Sequence, residues 1–171
     1  MTVLGADHPG IVDRLARLIR QHDGNWLESR MARLGGQFAG IVEARVPASS
    51  MAALQCDLDA LSAEGLTVVV QPGAVSEAAT PHDPSPLRLQ VEILSPDRPG
   101  ILRELTSLLA THLANVEELS TRIVPAQFSG EPLFKAHLRL SIPSADGRDP
   151  LRQAIEELAT DMALDLSLDN F

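Results

Sequence analysis

The stretch Asp7-His8-Pro9-Gly10-Ile11-Val12 returns as Asp97-Arg98-Pro99-Gly100-Ile101-Leu102, ninety positions later. An internal repeat of this kind means one structural unit used twice, so the chain is read as a duplication before any single element is assigned. The match runs outward from the motif at the same offset: Leu15 with Leu105, Leu18 with Leu108, His22 with His112, Asn25 with Asn115, Glu28 with Glu118. Further on, Val46-Pro47 corresponds to Ile142-Pro143, an offset of ninety-six, so the second copy carries about six extra residues. They fall around Gln127 to Pro132, where Gly130 and Pro132 mark a hairpin connection.

Each copy predicts the same order of elements. Leu87, Leu89, Val91 and Ile93 alternate with Arg88, Gln90 and Glu92, the period of a strand with one apolar face. Ile101, Leu105, Leu108 and Leu109 then form a helical stripe, which Ile11, Leu15, Leu18 and Ile19 repeat in copy one. Asn25 to Leu34 and Asn115 to Pro125 read as second strands, and Phe134 to Ile142 alternates as a third. Second helices are expected over Ser49 to Glu64 and Pro150 to Asp161, with Ser49 and Asp149 as N-caps. Thr67 to Gln71 and Leu164 to Leu168 close the copies as fourth strands. The order β-α-β-β-α-β defines an α+β fold of two tandem ferredoxin-like units, each an antiparallel sheet with both helices on one face. The right-handed crossover rule places the first and third strands side by side in the centre. Copy one begins at Met1, three or four residues short of the strand that Leu87 to Gln90 begin in copy two. Its neighbours are therefore expected to keep unpaired backbone groups unless an upstream stretch or a neighbouring chain covers them. Between the copies, Pro72, Pro81, Pro84 and Pro86 break any periodicity. The domains are accordingly set at 1–72 and 87–171, with a linker over 73–86.

Composition narrows the function. Twenty-three acidic against fourteen basic side chains give a formal charge of −9, a field that repels nucleic-acid phosphates. No Lys/Arg run offsets it, so direct nucleic-acid binding is not expected. No apolar run approaches the roughly 20 residues of a membrane span, and Met1 to Asp7 has no secretory signature, so a cytoplasmic protein without membrane contact is expected. The single Cys56 allows no internal disulfide and, in an expected helix, reads as packing. His8, His22, His82, His112 and His137 show no metal-ligand spacing, and no nucleophile elbow, phosphate loop or dinucleotide fingerprint is present. His22 and His112 read as C-terminal helix residues, Gly35-Gly36 as a hairpin turn, and Trp26 as a packing residue. The expectation is a chain without catalytic residues, metal or cofactor.

The repeated Asp-x-Pro-Gly turn is the candidate ligand site. Pro9 and Pro99 suit a helix start, Gly10 and Gly100 let a backbone or ligand come close, and Asp7 and Asp97 are placed to bond loop or helix amides. The N–H groups of Ile11, Val12, Ile101 and Leu102 would then face a ligand carboxylate. Asn25 and Asn115, opening the second strands, are expected close by and able to hold an amino group or a carboxylate. A strand-to-helix turn needs Pro, Gly and an acidic residue for structural reasons as well, so both readings stand at this point. His8 against Arg98 makes the two loops different in charge.

The Asp-x-Pro-Gly-Ile-(Val/Leu) loop, its following helix and the Asn at the second strand resemble the ACT domain, in tandem over nearly the whole chain. The arrangement is similar to the glycine cleavage system transcriptional repressor family. The resemblance implies amino-acid binding at domain interfaces through Asp7 to Val12 with Asn25, and Asp97 to Leu102 with Asn115. It further implies a non-catalytic regulator acting through a separate DNA-binding protein, with glycine as the signal. Exposed sheet edges favour a homodimer. The alternatives are an accessory ACT module of a metabolic enzyme, such as a folate-linked hydrolase, and a purely structural dimerisation module.

Overall fold

The structure, a computed structural model, describes residues 1–73, 87–127, 129–161 and 165–170. The chain divides into two compact units, Met1–Ser76 and Glu77–Phe171. The expected linker lies, apart from Gly73, outside the described residues.

In the first unit the order is β1 (Thr2–Ala6), α1 (Ile11–Gln21), β2 (Asn25–Leu34), β3 (Gln37–Arg45), α2 (Met51–Ala60) and β4 (Leu66–Val69). The second repeats it as β5 (Leu87–Pro96), α3 (Ile101–Thr111), β6 (Asn115–Pro125), β7 (Pro132–Ile142), α4 (Arg148–Asp161) and β8 (Asp165–Asn170). The sheets are four-stranded, ordered β2-β3-β1-β4 and β6-β7-β5-β8, so the first and third strands are central as the crossover rule requires. Both second strands begin and end where the sequence pattern puts them.

Alternation decides which face meets the helices. Val3, Phe38, Val42 and Leu66 turn inward against Ile11, Leu15, Leu54 and Leu58, all buried. In the second unit Leu89, Val91, Ile93, Leu138 and Leu140 meet Leu105, Leu109, Leu151 and Ile155 in one cluster. The predicted stripe residues Leu18 and Leu108 are partly buried at the edges of these cores.

Several local expectations are corrected. Ser50, not Ser49, precedes α2, after a 3₁₀ turn over Ala48–Ser50, and no side chain caps that helix. Helix α4 starts at Arg148, so Asp149 lies inside its first turn. The fourth strands are shifted to Leu66–Val69 and Asp165–Asn170. Cys56 is exposed, so it does not serve packing. The short β1 is extended by Met1, whose carbonyl accepts from Val42 N–H at 2.8 Å and whose ammonium donates to Val42 O at 2.7 Å. Among the described residues, no helix is long and apolar enough to cross a membrane, and no group of three His, Cys, Asp or Glu is placed to hold a metal.

Both first helices end in the same way. Gly24 N–H donates to Ile19 O at 2.8 Å and Asp23 N–H to Arg20 O at 3.1 Å; Ala114 and Leu113 repeat this with Leu109 and Ala110. This paired closure needs a left-handed residue, which is Asp23 at φ 56° and Leu113 at φ 54°. Leu113 is strained there, and its side chain is 74% exposed. Replacing Leu113 by Gly should raise stability by about 0.5–1 kcal/mol, the relief of left-handed strain less the entropy that glycine adds to the unfolded chain. Leu105→Ala, in the buried core, should lower it by about 2–5 kcal/mol. Urea melts of both variants check the pair.

Candidate functional site

The loops joining β1 to α1 and β5 to α3 are built alike. Pro9 and Pro99 lie in the turn one residue before the helix boundary, and Gly10 and Gly100 are the N-cap residues at φ 97° and 96°. A Cβ on Gly10 would meet nothing within 4 Å, and one on Gly100 would meet only Glu104 Oε1 at 3.6 Å. The glycines are therefore required by the left-handed backbone and not by a close approach of neighbouring backbone, which corrects the first half of that expectation. The flank of each glycine is left open.

The helix starts are uncapped by side chains. Arg14 N–H donates to Gly10 O at 2.9 Å and Glu104 N–H to Gly100 O at 3.0 Å, so helical bonding begins there. The preceding amides, at Ile11, Val12 and Asp13 and at Ile101, Leu102 and Arg103, have no acceptor in the helix itself. They carry the positive end of the helix dipole. Ile11 and Ile101 bury their side chains and anchor the turn, while Val12 and Leu102 remain 45% and 37% exposed beside it. The expected capping by Asp7 and Asp97 is not found. Asp7 Oδ2 instead pairs with Arg33 Nε at 2.8 Å, and the Asp7 and Asp97 amides donate to Gly36 O and Pro132 O, tying each loop to the neighbouring hairpin.

The two loops differ in electrostatics. His8 Nδ1 lies 3.2 Å from Pro9 O, and Arg14 pairs with Glu64. In the second loop Arg98 grips Glu104 with both guanidinium nitrogens, at 3.0 and 2.8 Å. That bidentate bond holds the Glu104 carboxyl below its usual range and raises the Arg98 guanidinium. Arg33 and Glu104 were not singled out by sequence reasoning. Their signals were available: Glu104 lies four residues past Gly100, and Arg33 flanks the Gly35-Gly36 hairpin, whose glycines have φ 59° and 77°. His22, at the C-terminal end of α1, pairs through Nε2 with Asp57 of α2 at 2.7 Å.

Asn25 and Asn115 are exposed but are not near the loop of their own unit. Asn25 pairs with Arg45 while Ala6, just before the loop, pairs with Gln37. Asn115 pairs with Ser141 while Pro96 pairs with Leu133. Eight residues of strand separate the two positions in each case, about 26 Å at the usual rise. The cause is topological: β1 and β2 run parallel with β3 between them, so the end of one and the start of the other lie at opposite ends of the sheet.

This duplicated fold and glycine-capped loop define an ACT-domain protein, and the ACT-domain family model matches residues 1–71. An ACT domain is thus identified over residues 1–71, and the second unit repeats its strand order. It is similar to a glycine cleavage system transcriptional repressor of Escherichia coli K12, with 28% identity over 165 residues, 95% of this chain and 84% of that protein. A UPF0237 protein of Methanopyrus kandleri is 32% identical over 80 residues, 44% of this chain and 82% of that protein. The crystal structure of an unknown protein from Galdieria sulphuraria matches with a TM-score of 0.81 and 28% identity, covering 99% of this chain and 95% of that one.

The Arg98–Glu104 bond predicts a titration. Because the folded-state pKa of Glu104 is depressed, its contribution to stability is present above the usual carboxylate value of about 4.3 and is lost as pH falls through the depressed value. Arg98→Ala should move the Glu104 midpoint upward and remove that dependence, read by carboxyl ¹³C NMR.

Proposed function

We propose that the chain is a non-catalytic, cytoplasmic regulator that senses a small amino acid, glycine being the first candidate, through its Asp-x-Pro-Gly loops. The observation that carries this is the pair of open helix starts. In each, a left-handed glycine keeps the loop clear while uncapped amides and the helix dipole face outward, the arrangement a carboxylate binds best. The similarity to the Escherichia coli repressor over 95% of the chain supports a regulatory role over an enzymatic one. An acidic chain suits regulation of transcription through a separate DNA-binding protein better than direct contact with DNA.

In this proposal the ligand-binding residues are Asp7 to Val12 and Asp97 to Leu102. Asn25 and Asn115 stand too far from their own loops to touch the same small molecule. Contact with both a loop and an asparagine requires a second ACT unit, which in a homodimer the partner copy supplies. Homodimerisation is supported by the helix-free face of the first sheet, where Leu4, Ile41 and Val69 are 51%, 64% and 52% exposed. Signalling follows if the effector binds two arrangements of the assembly with different affinity, which shifts their populations and the affinity for the partner protein.

Calorimetric titration of the full chain with glycine and then other amino acids tests the reading. Saturable binding is expected, and it should be lost at one loop in Gly10→Asn or Gly100→Asn. Asparagine tolerates a positive φ, so these variants keep the turn while filling the open flank. The stricter Gly10→Val and Gly100→Val add backbone strain to the same block. Unchanged binding in all four variants would place the effector elsewhere.

A further inference from the structure

The helix-free face of the second sheet carries a cavity of about 400 Å³ whose lining includes Glu118, Arg122, Lys135, His137 and Arg139. Its size falls within the range of small-molecule sites. Lys135 is the only lysine in the chain, and its side chain is 23% exposed. It shares Glu92 with His137, whose Nε2 lies 2.7 Å from Glu92 Oε2, while Arg139 pairs with Glu118 at 3.0 Å. Lys135 holds the Glu92 carboxyl below its usual range, and both Glu92 and Glu118 have basic side chains as partners. Arg122 is different. It lies near enough to Glu92 to favour the carboxylate, yet among the described residues its side chain makes no hydrogen bond or ion pair.

Comparison of the two units shows that the fold does not require these charges. By register, Arg122 opposite Lys135 corresponds to Ala32 opposite Ala39, and Glu92 opposite His137 corresponds to Thr2 opposite Ile41. At these two pairs the first unit thus has small or apolar residues, while the rest of its face carries Glu28, Arg30 and Glu43. A concentration of cations in the second, on a chain of net charge −9, needs another reason. The field of the distant acidic residues is screened beyond about 8–10 Å, so a ligand in the cavity responds to the local cations. A guanidinium with its N–H fork unused, beside an ammonium and an imidazole, matches the two oxygens of a carboxylate or phosphate.

We propose that this sheet face is a second ligand site, distinct from the loops, that binds a small carboxylate- or phosphate-bearing molecule with Arg122 as its principal contact and Lys135 and His137 beside it. The site belongs to the second unit alone, so the duplication has produced two sheets with different tasks.

The test is a ¹⁵N NMR titration of the full chain at low ionic strength, with inorganic phosphate in one series and succinate in the other. Saturable shifts are expected at the amides of Ser120, Arg122, Lys135 and His137 with at least one of the two probes, and the comparison tells which oxyanion is preferred. Arg122→Gln leaves every ion pair on this face intact, so the fold is retained and apparent affinity should fall at least tenfold. Gly100→Asn should leave the titration unchanged, which separates this site from the loop. Non-saturating shifts, or equal affinity in Arg122→Gln, would overturn the proposal.

Discussion

A central strand that feeds a helix lying back across its own sheet must reverse direction within four residues, and in both units the reversal passes through a glycine near φ 97°. An L-residue is disfavoured there, and the position has open space instead of a packing neighbour. Everything downstream depends on this corner. It sets Ile11 and Ile101 into the core, aligns Leu15 and Leu105 behind them, and leaves the first helical amides facing outward. The same backbone conformation that permits the fold also creates the anion-favouring end of the helix. Structural and ligand-binding readings of the motif are therefore not rivals, because one geometry is compatible with both.

The duplication preserves the buried face of each sheet and changes the other. Phe38 and Val42 in one unit and Leu138 and Leu140 in the other meet helices, and the hydrophobic effect holds those positions apolar. The opposite faces have no such requirement. One displays Leu4, Ile41 and Val69, and the other an ion-pair network around Glu92, Lys135 and His137. The loops diverge in the same manner: Asp7 reaches out to a hairpin arginine, whereas Arg98 is drawn back onto Glu104 of its own helix. Conserved architecture with altered surface chemistry is what separate tasks for two units would produce.

The fold was legible because its signals are local. Alternation at Leu87 to Ile93, a helical stripe at Ile101 to Leu109, and a repeat that supplied a second copy of each cue fixed element type and order. Helix starts were less legible: Ser49 and Asp149 looked like caps, but a 3₁₀ turn and an earlier start displaced them. The site was legible only in part. The turn before each first helix lies where its motif puts it, but the partners of Asp7 and Arg98 depend on hairpin position and helix rotation, which residue types do not encode alone. Strand order alone puts Asn25 near the loop, whereas strand direction puts it at the opposite end of the sheet. The cavity on the second sheet had no sequence motif at all, since its residues are contributed at alternate positions by three strands.

The most direct test of the account is an NMR map of glycine binding to the full chain. The prediction is that the amide signals of Ile11, Val12, Ile101 or Leu102 move with saturation as glycine or another amino-acid effector is added, following a carboxylate seated on a helix start. An amino acid that binds with saturation while all four of those amides stay unmoved would contradict it.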